Sequence, residues 1–464
     1  ELMPVTAWID ERHLPPLGLA NAWGYNPVTF MALDPRLAPG GLADLREAVS
    51  ALHAAGIGVI LDLVFNHTGE SDALGPTLSL RGLDAEAYYR HAADGTLVND
   101  TGTGNTLACD QPAVQRLVLD SLRHFVRHAG VDGFRFDLAP VLGRGEHGFD
   151  PNAPLFQALR SDPLLADRAL IAEPWDIGPG GYQLGRFSPP FLEWNDRYRD
   201  DVRRFWRGDA GVVGALATRL AGSSDIFSGS MSRTVNFIAA HDGMTLRDVT
   251  AYAHKRNEAN GEGNRDGHDE NFSWADGAPG DVRALLATLF ASRGTIMLTA
   301  GDEFGRTQHG NNNAYAQDNE TTWLDWQGRD RALEDHACAL SALRRSLPVF
   351  AGTGFLSGQP SPPDGLADVA WLTEAGHPMA EADWHDGGRR RLAMLLDAGE
   401  GSRLAVLVNG DRQACAFALP RRDGYRWQSV LEQDADPALP VSGRSVRLVL
   451  ERADDAAAQG HENG

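Results

Sequence analysis

The sequence predicts an α/β protein: a (β/α)8 TIM barrel lacking its first strand and most of its second, followed by a C-terminal antiparallel β-sandwich domain. Three observations carry this expectation. Up to about residue 350, apolar runs with polar tips alternate with segments of helical spacing, the rhythm of parallel strands joined by helices. Three of those runs close on an acid, at Asp137, Glu173 and Asp242. Beyond Pro348 the texture changes to short alternating runs, which fits an antiparallel sheet.

Taken in order, Glu1–Val5 reads as the last residues of a buried strand with no preceding body. Leu14 to Pro39 is rich in Pro, Gly and aromatics and holds Trp23-Gly24-Tyr25-Asn26-Pro27, a loop pattern. Tyr25 there either stacks on a sugar or packs on the barrel rim. Leu42, Leu45, Val49 and Leu52 have helical spacing, and Gly56 stops the helix. Gly58 to His67 is a continuous apolar run with a polar tip, as in a strand buried on both faces. Thr68 to Asp110, long and polar, forms an excursion on the side where barrel loops grow.

A helix follows from Pro112 to His128, with Val114, Leu117, Val118, Ser121, Leu122 and Phe125 on one side and Pro112 in its first turn. Val131 to Asp137 alternates apolar and polar residues like a strand with one solvated face. A short helix at Leu155 to Arg160 leads to the run ending at Glu173. Phe191 to Trp194 is a poorer strand candidate, and Glu193 in it reads as a structural acid. The helical stretch Asp200 to Trp206 precedes the run Val235 to Asp242. Asn257 to Gly267 reads as a solvated loop, its site-side position leaving a substrate role open. A helix at Val282 to Ser292, a strand at Thr295 to Thr299 and a helix at Ala332 to Leu347 complete the barrel. The expected domains are residues 1–350, a catalytic barrel truncated at its amino end, residues 351–452, a β domain entered through Pro360, Pro362 and Pro363, and a disordered tail, 453–464.

Composition bounds the partners. The formal net charge of −21 argues against nucleic acid and anionic membrane surfaces, while a neutral polymer tolerates it. Cys109, Cys338 and Cys415 are odd in number and far apart, so neither a disulfide framework nor a zinc motif is expected, and a reducing compartment, the cytoplasm, is the simpler reading. No apolar run reaches the length of a membrane span, and no secretory leader is seen.

The chemistry lies in the acids. Arg135 and Asp137 are two apart on a strand and share a face, which by itself suits a structural ion pair as well as an activated carboxylate. In a parallel barrel, however, residues at the carboxyl ends of different strands meet at one face. Acids meeting there are what glycoside cleavage requires: a carboxylate to attack the anomeric carbon and a carboxylic acid to protonate the departing oxygen, about 5–5.5 Å apart in the retaining geometry. A third can steady the cationic transition state.

These residues resemble the α-amylase superfamily of glycoside hydrolases (family 13), and within it the bacterial glycogen debranching enzymes related to isoamylase. Asp62 to His67, Gly133 to Asp137, Ala172 to Asp176 and Phe237 to Asp242 are similar, in order, to the superfamily's four signature regions. Asn257-Glu258-Ala259-Asn260-Gly261 with Asn264-Arg265-Asp266-Gly267, and Gly301-Asp302-Glu303-Phe304-Gly305 with Gly310-Asn311-Asn312-Asn313, favour the debranching branch. The resemblance implies Asp137 as nucleophile, Glu173 as general acid and base, and Asp242 as transition-state stabiliser. It further implies that Arg135, His67 and His241 hold the sugar and the nucleophile, and that Tyr25 stacks beneath the sugar. The implied substrate is the α-1,6 branch linkage of glycogen or its limit dextrin, with no cofactor; the alternatives are a secreted isoamylase or other α-glucan hydrolase, and a non-catalytic glucan-binding fragment. Asp62 and Asn66 alone offer too few oxygen ligands for a metal. The sequence departs from the resemblance at its start, where relatives carry an amino-terminal β-sandwich and the first barrel strand.

Overall fold

Four of the apolar runs become four parallel strands, paired in chain order: β1 (Ile60–Leu63), β2 (Gly133–Phe136), β3 (Ala169–Ala172) and β4 (Leu192–Asn195). The computed structural model describes residues 1–278, 280–361, 365–431 and 440–454. They divide into two compact units, Glu1–Trp194 with Tyr315–Asn319, and Asn195–Ala314 with Glu320–Gly464.

Each of these strands, β1 to β4, is four residues long. The expected amino-terminal strand is reduced to one parallel bridge, in which Leu2 N–H donates to Ile60 O and Leu2 O accepts from Asp62 N–H, both at 2.9 Å. Helices α1 (Leu42–Ala54), α2 (Leu80–Tyr88), α3 (Pro112–Ala129) and α4 (Pro154–Ser161) intervene. In α3 the apolar side Val114, Val118, Leu122 and Phe125 is buried in one cluster with Leu61, Leu63, Phe134 and Phe136, and Gly130, left-handed at φ 78°, ends the helix. Strand β2 corrects the sequence reading: all four of its residues are buried, because a parallel sheet inside an α/β layer has no solvated face. The excursion from Thr68 to Asp110, which includes α2, is organised by Glu70. Its buried carboxylate accepts the N–H groups of Leu78 (2.6 Å), Ser79 and Arg81 (both 2.9 Å) and the Tyr89 hydroxyl.

The second unit holds α5 (Asp196–Arg207), α6 (Val213–Leu220), β5 (Thr234–Asn236), α7 (Asp281–Phe290), β6 (Thr295–Ile296) and α8 (Arg331–Ser346). Strands β5 and β6 are parallel and shorter than expected, so Asp242 does not close a strand as the sequence suggested. The reason lies in side chains. Arg203 donates to Ile238 O from Nε at 2.8 Å and Nη2 at 2.5 Å, and Thr299 Oγ1 donates to Ala239 O at 3.0 Å. The carbonyls that would extend the ladder are taken.

Five later strands, β7 (Val369–Leu372), β8 (Arg391–Gly399), β9 (Ser402–Asn409), β10 (Tyr425–Ser429) and β11 (Ser445–Ala453), form an antiparallel sheet in the order β7-β8-β9-β11-β10. Alternate residues serve two cores. Leu392, Met394, Leu396, Leu404, Val406 and Val408 join the helical core of this unit, while Ala393, Leu395, Ala405 and Leu407 pack with Leu372, Val441 and Val449 on the other face. Positions 362–364 of the expected linker and 455–464 of the expected tail lie outside the described residues. Among the described residues no helix is long and apolar enough to cross a membrane.

Candidate active site

The register of the first sheet sets Asp62 on β1 beside Arg135 on β2, and Phe136 beside Ala172 on β3, so Asp137 and Glu173 leave neighbouring strands at the same level. Arg135 is 1% exposed and occupies the centre. Its Nη1 donates to Asp62 Oδ1 at 2.9 Å and Oδ2 at 3.0 Å, and to Asp137 Oδ1 at 3.0 Å. Its Nη2 lies 3.0 Å from Glu173 Oε2. The two terminal nitrogens of one guanidinium thus bridge the two expected catalytic carboxylates, a use that the planar fork of arginine suits and a lysine ammonium does not. The guanidinium carbon lies over the Trp194 ring, 4.3 Å from its centre. Burial alone would lower the Arg135 pKa, but the charges of Asp62 and Glu173, then Tyr25 and Asp137, raise it well above its ordinary value.

The loop after β1 holds Asp137 from the other side. Asn66 Nδ2 donates to both Asp137 O and Asp137 Oδ2 at 2.8 Å, and Asn66 Oδ1 lies 2.5 Å from His67 Nδ1. His67 Nε2 is 2.9 Å from Tyr25 O. Both ring nitrogens of His67, expected to meet sugar hydroxyls, therefore face protein oxygens, and the ring is 2% exposed. Burial lowers its pKa, against the raising effect of Asp137 and the Tyr25 carbonyl. Tyr25 is half-buried. Its hydroxyl donates to Asp62 Oδ2 at 2.5 Å, and its ring meets Trp23 edge-on at 6.3 Å. Burial, reinforced by the Asp62 charge, raises the phenol pKa well above 10, so the proton stays on the tyrosine. Burial likewise pushes Asp62 up to about 7 against the pull of Arg135.

Asp242 and His241 belong to the second unit, half-buried on the segment that Arg203 ties down. Asp242 is among the charges that raise the Arg199 pKa against the burial that lowers it. Nearby in sequence, the segment expected as a solvated loop is largely exposed, but two of its asparagines turn inward. Asn257 and Asn260 are fully buried; Asn257 Nδ2 donates to Asn312 Oδ1 at 2.8 Å, and Asn260 Nδ2 to Asp266 Oδ2 at 2.7 Å. Glu193 is buried and accepts Gly185 N–H at 2.6 Å. Among the described residues no group of three or more His, Cys, Asp or Glu is placed to hold a metal ion.

With this geometry in hand, the glycogen debranching enzyme of Serratia proteamaculans is 46% identical over 474 residues, covering 97% of this chain and 69% of that protein. This chain belongs to the glycogen debranching enzyme family. The debranching enzyme of Cronobacter sakazakii is 47% identical over 451 residues, 93% of this chain and 66% of that protein. The chain thus spans about two thirds of the length of these family members. Among solved structures it is similar to type I pullulanase of Bacillus subtilis complexed with maltose, with TM-score 0.72, 22% identity and coverage of 98% of this chain and 62% of that one. Pullulanase of Bacillus acidopullulyticus gives TM-score 0.71, 23% identity and coverage of 97% and 54%. At such identities the likeness is one of fold. No family model matches the chain.

Three residues of this debranching-family site were not singled out as functional from the sequence: Asp62 and Asn66, which orient Arg135 and Asp137, and Trp194. Only Asp62 left a usable signal. It sits at the same height of its apolar run as Arg135 does of the next, so pairing the two strands in parallel opposes an acid to a base.

Proposed function

We propose that the chain carries the catalytic part of an enzyme that hydrolyses α-1,6 branch linkages in glycogen or its limit dextrin with retention at the anomeric carbon. The observation that carries this is the Arg135 bridge, which holds Asp137 and Glu173 on two nitrogens of one guanidinium, a spacing suited to the retaining reaction. Asp137 attacks the anomeric carbon while the glycosidic C–O bond breaks and Glu173 gives its proton to the departing oxygen. Glu173 then takes a proton from water, whose oxygen displaces Asp137 from the same carbon. Asp242 is the acid that offsets positive charge on the sugar ring. Tyr25 and His241 contact the glucosyl unit, Arg135 fixes both carboxylates, and His67 serves them through Asn66.

Residues 1–350 are read as the catalytic β/α part and 351–452 as the β domain. The free thiols of Cys109, Cys338 and Cys415 support action in the cytoplasm. The test is release of reducing ends from phosphorylase limit dextrin and from linear amylose, with wild type and Asp137→Asn. Turnover of the branched substrate alone, abolished in the folded variant, is expected. Equal attack on amylose, or an active Asp137→Asn protein, would remove the proposal.

A further inference from the structure

The residue after Asp137 has a backbone conformation that ties the two carboxylates together. Leu138 is left-handed, with φ 41° and ψ 52°, a region that leucine rarely enters. Glycine or asparagine would enter it more readily, but the leucine side chain packs against the buried cluster that contains Phe134 and Phe136. Turned this way, Leu138 N–H donates to Glu173 Oε2 at 2.8 Å, and Ala139 N–H donates to Glu173 O at 2.9 Å. The carbonyl of the same peptide, Asp137 O, accepts from Asn66 Nδ2, the group that also holds Asp137 Oδ2. One end of the Asp137–Leu138 peptide is therefore fixed to the side chain that orients Asp137, and the other end to the carboxylate of Glu173. Because Ala139 to Gly143 are all buried, moving Leu138 out of the left-handed region requires this peptide to rotate, which takes its N–H off Glu173.

We propose that the left-handed turn at Leu138 is a positioning device for Glu173: its backbone N–H anchors Oε2 and so holds the proton-transferring carboxyl in one orientation beside Asp137. Oε2 faces two donors, Leu138 N–H and Arg135 Nη2, which together fix the orientation of the carboxyl that gives up the proton and takes it back. This rests on the reading of Glu173 as the general acid and base.

The experiment compares Leu138→Val, whose β-branch resists the left-handed region, with Leu138→Asn, which tolerates it. On limit dextrin, Leu138→Val lowers kcat roughly 10- to 100-fold with KM nearly unchanged, a loss of the size that small misplacements of reacting groups cause. Losing a donor that favours the carboxylate also moves the alkaline limb of its kcat–pH profile upward. Leu138→Asn keeps both rate and limb. With a glycosyl fluoride, whose leaving group departs without a proton, Leu138→Val retains most of the first-step rate. Thermal melts check folding, and if the valine variant does not fold, Leu138→Ala is read in the same way. A folded valine or alanine variant with wild-type kcat and pH limb overturns the proposal, as does equal loss in the asparagine variant or equal loss on the fluoride. An active Asp137→Asn protein instead overturns the underlying catalytic reading, so the two failures are distinct.

Discussion

Asp62 and Arg135 stand opposite each other in the register of β1 and β2, and one guanidinium nitrogen reaches both carboxylate oxygens, at 2.9 and 3.0 Å. Neither side chain is more than 2% exposed. Removing one member of a buried pair leaves an uncompensated charge and costs about 3–5 kcal/mol. Asp62→Ala falls near the lower end, since Asp137 and Glu173 still face Arg135, although the Tyr25 hydroxyl also loses its acceptor. Asp62→Asn, which keeps an acceptor oxygen, costs less. Urea unfolding measures both. An alanine variant with an unchanged midpoint would show that the pair does not support the fold.

The same residue makes stability depend on pH. In the folded protein burial holds the Asp62 carboxyl up to about 7, above its ordinary 3.8. The folded state therefore binds the proton more tightly than the unfolded chain, and the stability this supplies is complete below about pH 4 and lost as pH rises through about 7. His67 acts with the opposite sign. Its pKa is lowered by burial from 6.5, so its contribution is complete above that value and lost as pH falls. Unfolding midpoints between pH 4 and 8 test this by difference. Asp62→Asn removes a slope of up to about 1.4 kcal/mol per pH unit on the side of rising pH. His67→Gln flattens the loss on acidification. Parallel curves for wild type and Asp62→Asn would contradict the assignment.

Gly133 lets β2 and β3 approach each other. A Cβ built there would meet Ala169 O at 2.5 Å and Ala169 Cβ at 2.7 Å, and neither atom can swing away, since one is backbone and the other the root of its side chain. Gly133→Ala must therefore push apart the two strands that carry Asp137 and Glu173. The expected cost is about 1–3 kcal/mol, as for overpacking elsewhere, with a larger fall in kcat than in substrate affinity because the spacing of the acids changes. Thermal melts and steady-state kinetics on limit dextrin read the two effects. A variant with wild-type kcat would mean that the strand spacing does not set the acid spacing.

What the sequence made legible was periodic or local. Helix α3 was marked by Pro112 in its first turn and by its apolar side, and Asp137 and Glu173 each follow directly on a strand. What it hid depended on partners far along the chain. Nothing in Val235 to Asp242 reveals that Arg203 takes the Ile238 carbonyl, so an apolar run was read as a full strand. The asparagines at 257 and 260 read as solvated because polarity was judged without the amides near residue 312 that bury them. Asp62 was weighed only as a metal ligand, too few oxygens being near it in sequence, and its ion pair with Arg135 was hidden because that residue lies on another strand.

Arg203 also sets the last expectation. It is 3% exposed, and its guanidinium donates to Ile238 O at 2.8 and 2.5 Å and to Asn271 O at 3.0 Å. Burial, with help from the neighbouring Arg199 charge, drops its pKa to about 9, a strain accepted because the Ile238 carbonyl, diverted from the sheet ladder, needs donors. Arg203→Met fills similar space but leaves both carbonyls without that partner, at about 2–3 kcal/mol in all. Because Ile238 lies just before His241 and Asp242, the loss loosens the segment that presents them. Amide exchange over residues 238–243 should therefore rise and kcat should fall, while the antiparallel sheet of the β domain stays protected. Unchanged exchange in that segment, with lower stability spread evenly over the unit, would show that Arg203 supports the core generally and not the placement of Asp242.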